Sequence, residues 1–241
     1  MELSIILPTY NERENIEHVI LELESFFSKK NPKKKSFEII VIDDSSPDKT
    51  AQEVERIQSR FTNLVLIKDR PKEGIGKALE CGYNIAKGKW LLSMDADRAF
   101  LTNDLERILI ERENGFDFIV GSKYATGSHY IKNSFIDLLR SKISEYGNTY
   151  ISLVSGVPLK DFSMNFRLLK KEVWKSINPK DNENFFLVEM LVEAHYKGYK
   201  IKELGVSLLP RDFGVSKTRV WKQAGKFLVK STAFLWTRRA N

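Results

Sequence analysis

Asp95 and Asp97 stand one residue apart at the end of an apolar run, Lys89-Trp90-Leu91-Leu92-Ser93-Met94, and carboxylates at that spacing can share a cation. Leu91, Leu92 and Met94 suit a buried strand and Gly88 breaks the preceding helix, so the acids fall at a strand's C-terminal end. Open α/β sheets bind their ligands outside that edge, and neighbouring carboxylates repel one another there unless a cation lies between them. A hard divalent ion takes oxygen ligands, commonly one or two carboxylates together with substrate phosphates. Asp95 and Asp97 are therefore expected to anchor such an ion. The competing reading is a strand end capped by solvated acids, and the rest of the chain has to separate the two.

The elements that would position this pair recur along the chain. Leu3 to Pro8 reads as a short buried strand, with Pro8 opening the turn, and Asn11 caps a helix whose Ile16, Val19, Ile20, Leu23, Phe26 and Phe27 recur at helical spacing. Phe37 to Ile42 is a second strand that also ends in paired acids, Asp43 and Asp44. Ser45 to Asp48 opens a helix through Ala51, Val54 and Ile57; Leu64 to Ile67 is a third strand; Ala78 to Ala86 is a helix after the loop Gly74-Ile75-Gly76. Alternation of this kind implies right-handed crossovers and a parallel sheet. The segments Tyr10 to Glu12, Asp43/Asp44, Arg70 to Gly76 and Asp95/Asp97 then face one crevice, suited to a nucleotide-type ligand with a metal.

Beyond Asp97 the alternation loosens. Asp104 to Glu111 reads as helix, Phe116 to Gly121 as strand, Asn133 to Val154 as one long helix with Arg140 and Ser144 on a shared face. Phe166 to Leu169 reads as strand, Lys171 to Ser176 and Glu183 to Tyr196 as helices, Ile201 to Leu208 as strand, and Arg211 to Lys217 as a basic loop. Residues 221–241 mix Trp and Phe with Lys and Arg as an amphipathic tail. Domain limits are expected at 1–220 for the globular unit and 221–241 for the tail.

At 241 residues with 42% hydrophobic and 29% charged residues, the chain has the composition of a folded globular protein. No apolar run approaches the roughly 18 residues of a spanning helix, and the N-terminus lacks a signal pattern, so the chain is expected on the cytosolic side. Its single cysteine, Cys81, excludes an internal disulfide, and one Cys with three scattered His gives no zinc spacing. The net charge of +7 fits a polyanion, an anionic membrane surface, or simple solubility.

Taken together, Pro8-Thr9-Tyr10-Asn11-Glu12, Asp43-Asp44-Ser45-Ser46-Pro47-Asp48, Arg70-Pro71 with Gly74-Ile75-Gly76-Lys77-Ala78, Met94-Asp95-Ala96-Asp97 and Gly121-Ser122-Lys123-Tyr124 form an ordered set. It resembles the inverting GT-A glycosyltransferases, and more narrowly the polyprenyl-phosphate sugar transferases of the dolichol-phosphate mannose synthase kind. The likeness runs from residue 3 to about residue 217, with 161–171 and Arg211-Asp212-Phe213-Gly214-Val215-Ser216-Lys217 its most specific parts. It implies an α/β GT-A fold, a Rossmann-like nucleotide-binding unit with a mostly parallel central sheet flanked by helices.

By the same resemblance, Pro8, Tyr10, Glu12, Asp43 and Asp44 would hold base and ribose of a nucleotide-sugar, with Arg70 and Gly76 on the same donor side. Asp95 and Asp97 would hold Mg2+ or Mn2+ against the diphosphate. Lys123, Arg140, Ser144, Arg211 and Lys217 would gather the lipid phosphate and donor phosphates, and Asp161 would be the acid of the acceptor loop. Asp95, Asp97, Asp161, Arg211 and Lys217 would carry the catalysis. Against this, Lys123 and Arg140 also read as solvated charges, Ser144 as plain helix surface, and the tail aromatics as core.

Two departures stand out. Ala99 occupies a position where relatives often carry Gln, so any third metal ligand comes from elsewhere. Relatives commonly read Asp-Pro-x-Ser-Gly-Phe where this chain has Asp161-Phe162-Ser163-Met164-Asn165-Phe166, so a loop of different shape is expected.

The expected activity is transfer of a hexosyl group, with inversion, from a nucleotide-sugar to dolichyl or polyprenyl phosphate. GDP-mannose is favoured as donor and UDP-sugars stay open. A phosphate acceptor is already anionic near pH 7, its second pKa being about 6, and needs no strong base. Arg and Lys suit it, whereas a hydroxyl acceptor calls for a carboxylate base. The alternatives are a transferase acting on a glycan hydroxyl, with Asp161 as base, and a nucleotide-sugar-binding module without turnover. The partners expected are the donor, the lipid phosphate and an anionic membrane surface reached peripherally from its cytosolic face; no nucleic acid is expected.

Overall fold

The structure is a computed structural model that describes residues 1–30, 36–97, 102–130, 135–208, 230–232 and 234. Its elements in chain order are β1 (Leu3–Thr9), α1 (Arg13–Lys30), β2 (Phe37–Asp43), α2 (Thr50–Gln58), β3 (Leu64–Ile67), α3 (Ile75–Ile85), β4 (Trp90–Ser93), α4 (Thr102–Glu111), β5 (Phe118–Ser122) and β6 (His129–Tyr130). There follow α5 (Phe135–Ser155), β7 (Arg167–Lys170), α6 (Lys171–Ser176), α7 (Phe185–Tyr196), β8 (Ile201–Gly205) and β9 (Ser207–Leu208). The expected elements are thus present with ends displaced by a few residues, except that the single strand expected over 201–208 is two, β8 and β9, in different sheets, and that the basic loop expected over 211–217 lies outside the described residues.

Seven strands form one sheet in the order β3-β2-β1-β4-β7-β5-β8. Strands β1, β2, β3 and β4 pair in parallel, as do β5 and β8. Strand β7 lies between β4 and β5 and runs antiparallel to both. A second small sheet pairs β6 with β9.

Successive side chains of each strand enter opposite cores. Ile6, Ile40, Ile42, Leu91, Phe118, Val120 and Leu169 pack with Leu79, Tyr83, Trp174 and α7 on one face. Leu3, Ile5, Leu7, Ile39, Val41, Leu92, Ile119 and Leu168 pack with α1, α2 and α4 on the other. Burial on both faces explains why the strands read as continuous apolar runs without a polar alternation. Pro8 lies inside β1, opposite Ile42, where the turn was expected. The pairing of β1 with β4 ends at Ile6↔Ser93, so Pro8 sits past the last ladder position on that side, where a missing N–H is tolerated.

The antiparallel course of β7 decides the layout of the site edge. The ends of β1, β2, β3, β4, β5 and β8 lie along one edge of the sheet, and there the reversed strand presents its beginning. Residues 161–166, which lead into β7, therefore arrive at the edge carrying Asp43 and Asp95.

Candidate active site

Asp43, the last residue of β2, is 1% exposed. Its carboxylate accepts hydrogen bonds from Thr9 Oγ1 (3.1 Å), the Ser46 amide (3.0 Å) and Ser46 Oγ (2.5 Å), which ties the ends of β1 and β2 together. The Asn11 amide donates to Ser46 Oγ at 3.0 Å and the Glu12 amide to Thr50 Oγ1 at 3.0 Å, so the Tyr10 to Glu12 loop is laid over the start of α2. Lys72 Nζ sits 3.4 Å from the centre of the Tyr10 ring, a cation–π contact. Glu12 also accepts from Asn15 Nδ2 at 2.9 Å.

Asp44 is 5% exposed and 3.4 Å from Arg70. Burial pushes its carboxyl up to about 6; the Arg70 guanidinium pulls the other way and neighbouring Asp43 adds to the rise. Arg70 also reaches the Lys77 carbonyl at 3.4 Å, and its own carbonyl accepts from Ser45 Oγ at 2.6 Å. Four non-glycine residues with positive φ lie in the loops after the first three strands: Asn11 (58°), Ser45 (53°), Lys49 (70°) and Asp69 (59°). Such conformations persist only where surroundings over-determine them, and they gather at functional edges.

The loop before α3 is closed by contact with residues 181–182. The Gly76 amide donates to the Asn182 carbonyl at 2.8 Å. A Cβ at Gly76 would lie 2.4 Å from the Asp181 carbonyl oxygen, and one at Gly74, whose φ is 109°, would lie 2.4 Å from that of Asn182. Glycine is therefore required at both positions by backbone approach.

Asp95 and Asp97 follow β4, Asp97 being 4% exposed. Asp95 accepts from Asn165 Nδ2 at 2.9 Å, and Asn165 in turn accepts from Ser93 Oγ at 2.7 Å. The donor set fits a hard divalent ion, being two oxygen-bearing acids at the edge where the loops after β1 and β2 also lie. Among the described residues no third His, Cys, Asp or Glu joins them in a metal-sized group. Ala99 lies outside the described residues.

On the other side of β7, Asp161 is fully buried. It accepts from the Ser163 amide (2.9 Å), Ser163 Oγ (2.8 Å) and the Lys123 amide (3.3 Å). The amides of Lys160 and Asp161 both donate to Glu203 at 2.8 Å, a carboxyl that burial pushes upward against those hydrogen bonds. Tyr124 Oη donates to the Ser141 carbonyl at 3.0 Å, which brings Lys123 and Tyr124 against the α5 turn that carries Ser144. Ser144 is partly buried and its carbonyl accepts from Asn148 at 2.9 Å. Arg140 is exposed and pairs with Asp137 at 3.8 Å, the arrangement of a solvated charge. Arg211 and Lys217 lie outside the described residues.

The structure thus gathers Pro8, Tyr10, Glu12, Asp43, Asp44, Arg70 and Gly76 on one side, joins Asp95 to the 161–166 loop, and groups Asp161, Lys123 and Ser144 beyond β7. Sequence reasoning passed over Ser93, Tyr83 and Arg167. Ser93 is a polar residue inside an apolar run, which is a signal; Arg167 is a charge inside a strand, which is another. Arg167 is fully buried and donates to the carbonyls of Met164 (2.8 Å), Leu187 (2.6 Å) and Phe162 (2.7 Å), fastening the loop to α7. Burial pulls its guanidinium down to about 10, still charged at neutral pH.

Comparison with known proteins bears on this arrangement. The model of Glycosyl transferase family 2 matches residues 4–177. The chain is 29% identical over 219 residues to a dolichol-phosphate mannosyltransferase of Pyrococcus furiosus, an alignment covering 91% of this chain and 60% of that one. It therefore spans about three fifths of that relative's length. It is 28% identical over 220 residues to polyprenol monophosphomannose synthase of Mycolicibacterium smegmatis, covering 88% of this chain and 79% of the relative. Glucosyl-3-phosphoglycerate synthase from Mycobacterium tuberculosis, solved with Mn2+, UDP and glucosyl-3-phosphoglycerate, superposes with a TM-score of 0.66 at 15% identity, covering 95% and 79% of the two chains. S. aureus TarS 1–349 gives 0.54 at 21% identity, covering 85% and 58%. At such identities these two speak for the fold alone.

Proposed function

The chain belongs to glycosyl transferase family 2 and has the GT-A fold, and from that premise we propose that it moves a hexosyl group from a nucleotide-sugar to dolichyl or polyprenyl phosphate with inversion. The observation that carries this reading is the 2.9 Å hydrogen bond between Asn165 and Asp95, which sets the loop of Asp161 directly against the donor edge. Mannose is the sugar favoured, because both relatives above are named for it, and GDP-mannose is the donor to try first with UDP-sugars next.

Within this reading Asp43, Asp44, Glu12 and Tyr10 hold the nucleoside, with Pro8, Arg70 and Gly76 shaping its loop. Asp95 and Asp97 would hold Mg2+ or Mn2+. Such an ion, when bound, supplies Lewis-acid neutralisation of the charge on the leaving diphosphate. Lys123, Arg140, Ser144, Arg211 and Lys217 receive the acceptor phosphate, whose anionic oxygen forms the new bond to the anomeric carbon while the diphosphate departs with the electron pair. Asp161 is better suited to bracing the loop than to taking a proton, since it is buried and already accepts three hydrogen bonds. That favours a phosphate acceptor over a hydroxyl, for which a base would be needed.

Incubating the protein and a divalent cation with radiolabelled nucleotide-sugars, with and without a short polyprenyl phosphate, tests the proposal. The expected result is label in the lipid fraction with one donor. Transfer to a glycan hydroxyl with none to the lipid would move the assignment to a glycan-extending enzyme, and binding of donor without any turnover would make the chain a binding module.

A further inference from the structure

We propose that Asn165 is a positioning residue for Asp95, held in one orientation by a buried relay that runs from Tyr83 through Ser93. The inference rests on the reading of Asp95 as a metal-holding carboxylate. Tyr83 Oη donates to Ser93 Oγ at 2.8 Å, Ser93 Oγ donates to Asn165 Oδ1 at 2.7 Å, and Asn165 Nδ2 donates to Asp95 Oδ1 at 2.9 Å. Tyr83 and Ser93 are fully buried and Asn165 is 3% exposed. Three separate elements meet in it: Tyr83 comes from α3, Ser93 from the end of β4, and Asn165 from the residues leading into β7.

The relay has a direction, and its direction is fixed from the Asp95 end. An ionised carboxylate can only accept, so the amide must turn its N–H toward Asp95 and its oxygen toward Ser93. Ser93 must then donate its one proton to Asn165, and its lone pair must accept from Tyr83. Reversing the amide would set two oxygens face to face at Asp95. A side-chain amide is otherwise free to sit either way round; here each proton position follows from the last.

The consequence is pre-organisation. A carboxylate pinned through one oxygen by a donor that cannot rotate loses less freedom when a cation is bound than one that swings in solvent. Loss of a partner that orients a metal ligand typically costs about 10- to 100-fold in metal affinity. A purely structural role would cost stability and leave cation affinity where it was.

The test is Mn2+ titration in the presence of GDP or UDP, followed by the electron paramagnetic resonance signal of free Mn2+, for the wild type, Asp95→Asn, Asn165→Leu and Tyr83→Phe, with circular dichroism to establish folding. Asp95→Asn should lose Mn2+ binding. Asn165→Leu should weaken it about tenfold, and Tyr83→Phe, which leaves every group near Asp95 in place, about threefold, the equivalent of one modest hydrogen bond. Wild-type affinity in both Asn165→Leu and Tyr83→Phe, with Asp95→Asn still deficient, overturns the positioning role and leaves the metal reading standing. Undiminished binding in Asp95→Asn overturns the metal reading itself. If Asn165→Leu does not fold, Tyr83→Phe decides alone, and an unchanged affinity there overturns the proposal.

Discussion

Asp43 and Asp44 are adjacent, both buried, and chemically unlike. Asp43 accepts three hydrogen bonds from Thr9 and Ser46, two on Oδ1 and one on Oδ2, which leaves Oδ2 a further acceptor site, whereas Asp44 faces Arg70 at 3.4 Å and titrates near 6. Since its ordinary value is 3.8, the protonated form is the one the fold favours. The stability this brings is present below pH 3.8 and is lost as pH rises through about 6, a fall on the order of 2–3 kcal/mol. Asp44→Asn should flatten that part of the stability curve and melt above the wild type at pH 7; parallel curves from pH 3.5 to 7 would contradict the shift. Asp43→Ala should weaken nucleotide binding about ten- to a hundredfold by calorimetry, the value of one hydrogen bond from a charged group. For Asp95→Asn or Asp97→Asn, transfer should fall at least about a hundredfold with the circular dichroism spectrum unchanged. EDTA should silence the wild type and Mg2+ or Mn2+ restore it, so full activity in EDTA would remove the metal assignment.

At the scale of elements, β7 is the piece on which the site depends. Its reversed course lets a single loop meet Asp95 through Asn165 and the Lys123 amide through Asp161, and Arg167 is the bolt that holds that loop to α7. Replacing Arg167 by Met strips its donors from three buried carbonyls. Each buried group left unmade costs about 1–3 kcal/mol, so unfolding in urea should register a loss of at least about 3 kcal/mol. A variant within 1 kcal/mol of the wild type would mean that water replaces the guanidinium there. On the same helix, α7, Glu189 accepts from the amides of Lys180 (2.6 Å) and Asp181 (2.8 Å), and so supports the strip of backbone on which Gly74 and Gly76 rest.

For the molecule as a whole, no helix among the described residues is long and apolar enough to cross a membrane. Yet α5 turns Ile136, Leu139, Tyr146 and Leu153 outward at 60%, 41%, 74% and 77% exposure, beside exposed Arg140 and Lys142. Apolar burial combined with attraction to anionic lipid is how such a face settles on a bilayer, and the net charge of +7 acts in the same direction. The chain should co-sediment with anionic liposomes and lose most of that binding in 1 M salt, where charges are screened beyond roughly 3 Å. Equal binding to neutral and anionic vesicles, or none to either, would count against a peripheral membrane role. The amphipathic tail at 221–241 and the domain limit before it lie almost wholly outside the described residues.

The alternation of strands and helices, the doubly buried runs such as Phe37 to Ile42, and the acids at the strand ends were all legible in the sequence. Periodicity records how one segment is buried, and parallel strands joined by helices must finish on a common edge, so the gathering of Asp43, Asp44, Arg70 and Asp95 at that edge followed. Periodicity does not record which strand lies beside which, or in what direction. Nothing in Arg167-Leu168-Leu169-Lys170 announces that it enters between β4 and β5 the opposite way round. Asn165 was visible only as a departure from the loop pattern of relatives; its use depends on Ser93 and Asp95, 72 and 70 residues away. Contacts across such separations are set by how loops close over a finished sheet, and that is a property of the packed chain, not of any segment in it.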